Sequence, residues 1–171
     1  MDDLASLKDF LGRTPFFGGV LDEALEYLAT LLIVRDVAAQ TPVFVEGEHG
    51  RSMFILRSGE VVALHQASAA GPAVKLMRFR QGDFFGETTL IEMQPRPFTA
   101  VAEQPARLYE LTSRHLYDLY KRDVHTYVMV LQNINRELCR RLRRANDRVS
   151  HFATEMADEE TQIPDEWSGR L

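Results

Sequence analysis

Apolar positions recur at helical spacing along the first 36 residues. Leu4, Leu7, Phe10 and Leu11 share one face of residues 4–11, and Thr14-Pro15 breaks that run. Leu25, Leu28, Leu31 and Leu32 repeat the period over residues 22–33, with Asp22 and Glu23 suited to the positive N-terminal end of a helix. From about Ala38 the texture changes to short β-rich runs: Pro42–Val45, Met53–Leu56, Glu60–His65, Val74–Phe79, Ala100–Ala102 and Leu108–Leu111. Glycine and polar breaks separate them at Glu46–Gly50, Ser58-Gly59, Gln66–Pro72 and Gln81–Asp83. Many short strands at close spacing predict a mainly β fold with flanking helices, an antiparallel β-roll of the jelly-roll-like kind (a double-stranded β-helix).

The helical period returns at Arg114 and persists. Val124, Val128, Leu131, Asn135, Leu138, Leu142, Ala145, Val149, Phe152 and Met156 fall at alternating four- and three-residue steps. This heptad seam predicts one long helix, with Val128, Asn135, Leu142 and Val149 at a-type positions. The expected organisation is therefore an N-terminal helical segment (1–36), a β-roll (37–113), C-terminal helices (114–157) and an acidic mobile tail (158–171) carrying Pro164, Trp167 and Gly169. Leu142, Val149 and Phe152 need a cover beyond the reach of the roll. A parallel two-fold homodimer through the seam supplies it, with Asn135 as a buried polar residue fixing the register; the alternative is a helix folded back on its own domain.

Composition narrows the functional classes. Lys and Arg number 20 against 25 Asp and Glu, a net charge of −5 that disfavours non-specific binding to nucleic acid or anionic membranes. The single cysteine, Cys139, excludes an internal disulfide and a cysteine-rich zinc site, and a small apolar packing role is expected for it. The N-terminus Met1-Asp2-Asp3-Leu4 has no basic, apolar leader, and no apolar run approaches the ~18 residues of a membrane span. A cytoplasmic location is the expectation. The histidines His49, His65, His115, His125 and His151 show no metal-ligand spacing, so no metal is expected and a metal-dependent cupin-like enzyme stays a remote alternative. No nucleophile elbow, carboxylate pair or Walker-type loop stands out, and a non-enzyme is expected. Arg136, Arg140, Arg141, Arg143, Arg144 and Arg148 read as the solvated face of the long helix, with Glu137 and Asp147 pairing locally.

The chemistry concentrates in Gly82-Asp83-Phe84-Phe85-Gly86-Glu87-Thr88-Thr89-Leu90-Ile91, continuing to Pro95-Arg96-Pro97-Phe98-Thr99-Ala100-Val101. The physical content is an anion cradle. Gly86 permits backbone approach to a ligand. A helical turn starting near Glu87 would direct the amides of Thr88 and Thr89 at an anion. Arg96 offers a fork of donors matched to a phosphate. Glu87 suits a ligand that also carries a sugar hydroxyl.

With Phe85-Gly86-Glu87, Leu90, Arg96 ten residues beyond Gly86, and the glycine turns at Glu46-Gly47 and Ser58–Val61, residues 5–150 resemble the cyclic nucleotide-binding domain family. That family includes the bacterial catabolite activator protein and the regulatory subunits of cyclic AMP-dependent kinase. The resemblance implies that Glu87 accepts a hydrogen bond from the ribose 2′-hydroxyl of cyclic AMP or cyclic GMP. Arg96 and the amides near Thr88 and Thr89 would hold the cyclic phosphate, and the base would lie near Tyr127, Leu131 or Ile134. Phe85, Gly86, Glu87, Thr88, Thr89, Arg96, Pro97, Phe98 and Thr99 form the expected ligand site. After the arginine the family usually has two small residues and then threonine; here Pro97-Phe98-Thr99 matches only at the threonine. Pro97 has no N–H, and one lost donor to a charged group costs about 1.5–3 kcal/mol. An inward Phe98 would occupy ligand space, leaving Arg96 and Glu87 to pair with each other. Two functions follow: a nucleotide-sensing regulatory module read by an unidentified protein partner, or a degenerate pocket on a dimeric interaction scaffold. Catabolite activator-type regulators follow this helix with a helix-turn-helix, and the acidic stretch after Met156 carries no second apolar period, so no DNA-binding domain is expected.

Overall fold

The computed structural model describes residues 3–66 and 71–161. It divides into two compact units, Met1–Ile134 and Asn135–Leu171. The first unit begins with helix α1 (Leu4–Gly12), a 3₁₀ turn (Pro15–Phe17) and helix α2 (Asp22–Leu31). Most of the predicted faces are buried: Leu7, Phe10 and Leu11 on α1, with Leu4 exposed at its start, and Leu25 and Leu28 on α2 with Leu32 at its C-cap, while Leu31 is half-buried and Ala29 joins the buried face. Eight strands follow: β1 (Ile33–Val37), β2 (Thr41–Phe44), β3 (Ser52–Ser58), β4 (Val61–Gln66), β5 (Ala73–Phe79), β6 (Phe84–Phe85), β7 (Thr99–Ala102) and β8 (Ala106–Thr112). The short helix α3 (Thr88–Glu92) sits between β6 and β7. Helix α4 (Ser113–Arg122) then leads to α5 (Val124–Thr161).

All strand pairs are antiparallel, in two four-stranded sheets ordered β1-β8-β3-β6 and β2-β7-β4-β5. This is the β-roll that the short runs predict. Phe44, Phe54, Leu56, Val61, Phe79, Phe85 and Leu108 fill its interior from both sheets. Two strands differ from the sequence reading. β1 lies inside the segment expected to be helical: Leu32 turns extended at φ −68, ψ 135, and the β-branched Ile33-Val34 begin a strand paired to Glu110 and Tyr109 of β8. Its side chains are mostly exposed on an edge strand, so no period-two burial marks it in the sequence. β6 is two residues long and exists only through its register with β3, Phe85 opposite Phe54 and Phe84 opposite Ile55.

Helix α4 starts with a capping box. The Thr112 hydroxyl accepts from the His115 amide at 3.2 Å, and His115 Nδ1 accepts from the Thr112 amide at 3.3 Å. Asp123, at φ −148 and ψ 90, breaks the helical path. Its carboxylate accepts from the Thr126 amide and hydroxyl and so caps α5. Thr126, Val130, Asn133 and Ile134 are the buried residues of early α5. The Asn133 side-chain amide donates to the carbonyls of Phe16 and Gly18, both at 2.9 Å, tying α5 to the 3₁₀ turn.

In the second unit α5 continues to Thr161, so the first four residues assigned to the tail are helical. Residues 162–171, including Trp167, lie outside the described residues. Arg140 and Arg141 bond to Glu137 as local helix pairs. Along the seam Leu131 and Leu138 are half-buried, while Val128, Asn135, Leu142, Ala145, Val149 and Phe152 are exposed on the single chain. Cys139 is exposed, which corrects the packing role expected for it; no neighbour on this helix covers its thiol.

Candidate functional site

The predicted cradle closes around Arg96. Gly86, at φ +80, ends β6 in a conformation that favours glycine. Glu87 and helix α3 follow, and Met93 at φ +56 ends the helix in the left-handed region. The chain then returns to Arg96, whose backbone is pinned to the β2–β3 turn: its amide donates to the Glu48 carbonyl and its carbonyl accepts from the Gly47 amide, both at 2.9 Å. The side chain is only 3% exposed. Nη1 donates to the Gly86 carbonyl at 3.0 Å and to Thr89 Oγ1 at 2.6 Å. The Thr89 hydroxyl donates a hydrogen bond to the same carbonyl at 2.7 Å. The ζ-carbon lies 4.2 Å from the Phe44 ring centroid, a cation–π contact. A Cβ on Gly86 would lie 2.6 Å from Nη1, and one on Gly50 would lie 2.6 Å from Cζ, Nε and Nη2, so two glycines admit the guanidinium.

Burial lowers the Arg96 pKa, and the carboxylates of Glu48, Glu110 and Glu87, in that order, work against the shift. The guanidinium stays charged, because its ordinary pKa lies far above neutral pH. Glu87 is 2% exposed, a carboxylate held inside the roll wall beside this cation. Arg96 makes its hydrogen bonds to Gly86, Thr89 and Ser52.

The other predicted residues are distributed unevenly. Phe85 is fully buried and stacks on Phe79 with centroids 4.7 Å apart, serving the core. Thr88 is half-buried and Pro97 exposed. Phe98 points into the roll, with its ring centroid 5.5 Å from Phe44 and 6.2 Å from Phe79. The Thr99 hydroxyl accepts from the Glu46 amide at 3.0 Å and fixes the β2–β3 turn. On α5, Ile134 is fully buried, while Tyr127 and Leu131 are half-buried. Among the described residues no three His, Cys, Asp or Glu groups come together to hold a metal ion. His65 pairs with Glu46, and His151 with Glu155.

Sequence reasoning missed Phe44, Gly50, Ser52 and Glu110. Two of them left a signal: Ser52 and Glu110 are polar residues on otherwise apolar strand runs, and both are at least nine-tenths buried.

A profile of the cyclic nucleotide-binding domain matches residues 34–123, more than half of the chain. This chain belongs to the cyclic nucleotide-binding domain family. A cGMP-dependent protein kinase of Toxoplasma gondii is 28% identical over 102 residues, 60% of this chain and 10% of the kinase. The cyclic AMP receptor protein of Thermus thermophilus is 27% identical over 133 residues, 78% of this chain and 59% of the receptor. The crystal structure of a cyclic nucleotide-binding domain from Methylobacillus flagellatus superposes with a TM-score of 0.75 at 21% identity, covering 85% of this chain and 82% of that one, a likeness of fold. The chain thus spans a tenth of one curated relative and 59% of another. The cyclic nucleotide-binding domain is a regulatory module rather than a catalytic one. Among the described residues no helix is long and apolar enough to cross a membrane.

Proposed function

We propose that this domain is a cytoplasmic regulatory module that binds cyclic AMP or cyclic GMP through Glu87 and Arg96 and relays binding through α5. The buried Arg96 carries the reading: a charged fork already held at the Gly86–Thr89 turn by two hydrogen bonds on Nη1. Holding a cation in place without water removes most of the reorganisation that phosphate binding otherwise needs. The cyclic phosphate would take its charge-assisted contacts from Arg96 and the amides of Thr88 and Thr89. Glu87 would accept from the ribose hydroxyl. Ligand binding shifts a helix only by its differential affinity for two helix positions. The exposed Leu142, Val149 and Phe152 suit a homodimer seam along α5 as the element that is read, by a protein partner not yet identified.

One observation favours a second reading. The Phe98 ring packs among Phe44 and Phe79, in the interior that a nucleotide would enter, and Pro97 brings no amide. A closed cassette on a dimeric scaffold would look the same. Calorimetric titration with cyclic AMP and then cyclic GMP separates the two, with Arg96→Ala as control. Micromolar binding that weakens at least tenfold to a hundredfold in the variant supports the sensor, because removing a charge-assisted contact is worth about 1.5–3 kcal/mol. Absence of heat at millimolar nucleotide refutes it and leaves the scaffold.

A further inference from the structure

From Leu142 to Met156 every residue of α5 is exposed on the single chain. Leu142, Val149, Phe152 and Met156 are large apolar side chains on one stripe of this stretch, each 62–67% exposed. Leu131 and Leu138, earlier on the same stripe, are already half-buried. The uncovered apolar surface is therefore concentrated in the distal half of α5, where packing has to supply what backbone hydrogen bonds alone do not. Charge is segregated along the same stretch. Residues 136–148 hold six arginines against two acids, Glu137 and Asp147, and Glu137 already serves both Arg140 and Arg141. Residues 149–161 hold Glu155, Asp158, Glu159 and Glu160 and no lysine or arginine. Glu155 is exposed and meets only the weakly basic His151 of its own helix, at 3.1 Å.

We propose that the distal half of α5 pairs with the same segment of a second copy in antiparallel orientation, the basic stretch of each copy lying along the acidic end of the other. The proposal rests on the homodimer reading of the seam and is independent of nucleotide binding. Charge sets the orientation first. In a parallel, in-register pair the positions flanking the seam put Arg141 beside the partner's Asn146 and Arg148 beside the partner's Ala153, so neither arginine meets an acid. With Leu142 opposite the partner's Phe152 in an antiparallel pair, Arg141 flanks the partner's Glu155, and the two-fold axis repeats the contact. Arg148 beside its own copy near the axis is the one like-charge neighbour in this register. Side-chain size points the same way. A parallel pair stacks Ala145 on Ala145 and Phe152 on Phe152, a thin layer followed two layers on by a wide one. The antiparallel register sets Leu142 against Phe152, Ala145 against Val149 and Leu138 against Met156, and no layer holds two alanines or two phenylalanines. The apolar layers hold the pair together, and the exposed charges choose its direction.

The chain carries its own ruler. Cys139 is its single cysteine and lies exposed on α5. The test attaches a nitroxide to Cys139 of the full chain and measures the label-to-label distance by electron spin resonance. The same measurement on Cys139→Ser/Asn146→Cys moves the label one heptad along the same flank, to another exposed position. In the proposed register residue 139 is level with the partner's residue 155, and residue 146 with the partner's residue 148. At 1.5 Å per residue the paired labels are then offset along the axis by about 24 Å and about 3 Å. The label arms are common to both proteins, so the expected result is a distance at least about 10 Å longer at residue 139 than at residue 146. Distances that agree within about 5 Å mean a parallel pair and overturn the proposal. Glu155→Arg should weaken self-association about threefold or more in sedimentation; unchanged or tighter association overturns the proposal as well. A chain that stays monomeric at about 100 µM, including one whose α5 is covered by a different protein, overturns both the orientation and the homodimer seam, whereas a parallel dimer overturns the orientation alone. Nucleotide binding is read separately as calorimetric heat and is untouched by either outcome.

Discussion

Asn133→Ala tests how α5 is held to the rest of its unit. Both protons of one side-chain amide are used, at 2.9 Å each, on the carbonyls of Phe16 and Gly18. Asn133 is 6% exposed and Phe16 completely buried, so water does not readily replace the lost donor. Two net hydrogen bonds are worth about 1 kcal/mol each, and a stranded buried carbonyl adds about 1 more, giving a destabilisation of about 3 kcal/mol. For a domain of this size that lowers the melting temperature by roughly 6–12 °C. Asn133→Asp is expected to be at least as damaging, because a carboxylate would face two carbonyl oxygens without a donor. The assay is urea unfolding at fixed protomer concentration, since any dimer makes apparent stability depend on concentration. Asn135→Ala, on the exposed side of the same turn, is the control and should change a monomeric chain by less than about 0.5 kcal/mol. The reasoning fails if Asn133→Ala lies within about 0.5 kcal/mol of wild type, or if the control costs as much as the test.

Three further outcomes follow from the site and its supports. Gly86→Ala places a methyl group 2.6 Å from Arg96 Nη1 at φ +80, so it should cost about 1–2 kcal/mol from the backbone alone and weaken nucleotide binding at least tenfold by calorimetry. Phe98→Ala removes a half-buried ring from the roll; it should cost about 2 kcal/mol in urea and tighten cyclic AMP binding, and unchanged affinity would show that the ring does not stand in ligand space. Burial lowers the His115 pKa, so the unfolded chain takes up its proton first. The stability it contributes is therefore full above about pH 6.5 and is lost as pH falls from there through the lower folded value. Protonation at Nδ1 also removes the acceptor of the α4 capping box, and His115→Gln, which keeps a capping residue at that position, should flatten urea midpoints measured between about pH 7.5 and about pH 5.5.

Most of the order of elements, and the residues that gather at the Gly86–Arg96 turn, were legible in the chain itself. Period-3.6 apolar spacing placed α1, α2 and α5, because the repeat is readable in a helix whether its stripe is buried, as on α1 and α2, or exposed on the single chain, as along most of α5. The short β-rich runs placed six of the eight strands, and the Gly86–Arg96 spacing brought together the residues that do meet, Gly86, Thr89 and Arg96. Edge strand β1 and the two-residue β6 were not legible, since their pairing partners lie 77 and 31 residues away in register, Ile33 opposite Glu110 and Phe85 opposite Phe54. Which asparagine is buried in the single chain was not legible either: the heptad singled out Asn135, while the fold buries Asn133 against Phe16 and Gly18. Which way Phe98 points and what surrounds Arg96 were set by the closing of the two sheets. Phe98 meets Phe44 and Phe79, and Arg96 meets Phe44, Gly50 and Ser52, all from strands and turns distant in the chain. Local spacing records which side chains can face a neighbour; which neighbour arrives is fixed by how two sheets close around a shared core.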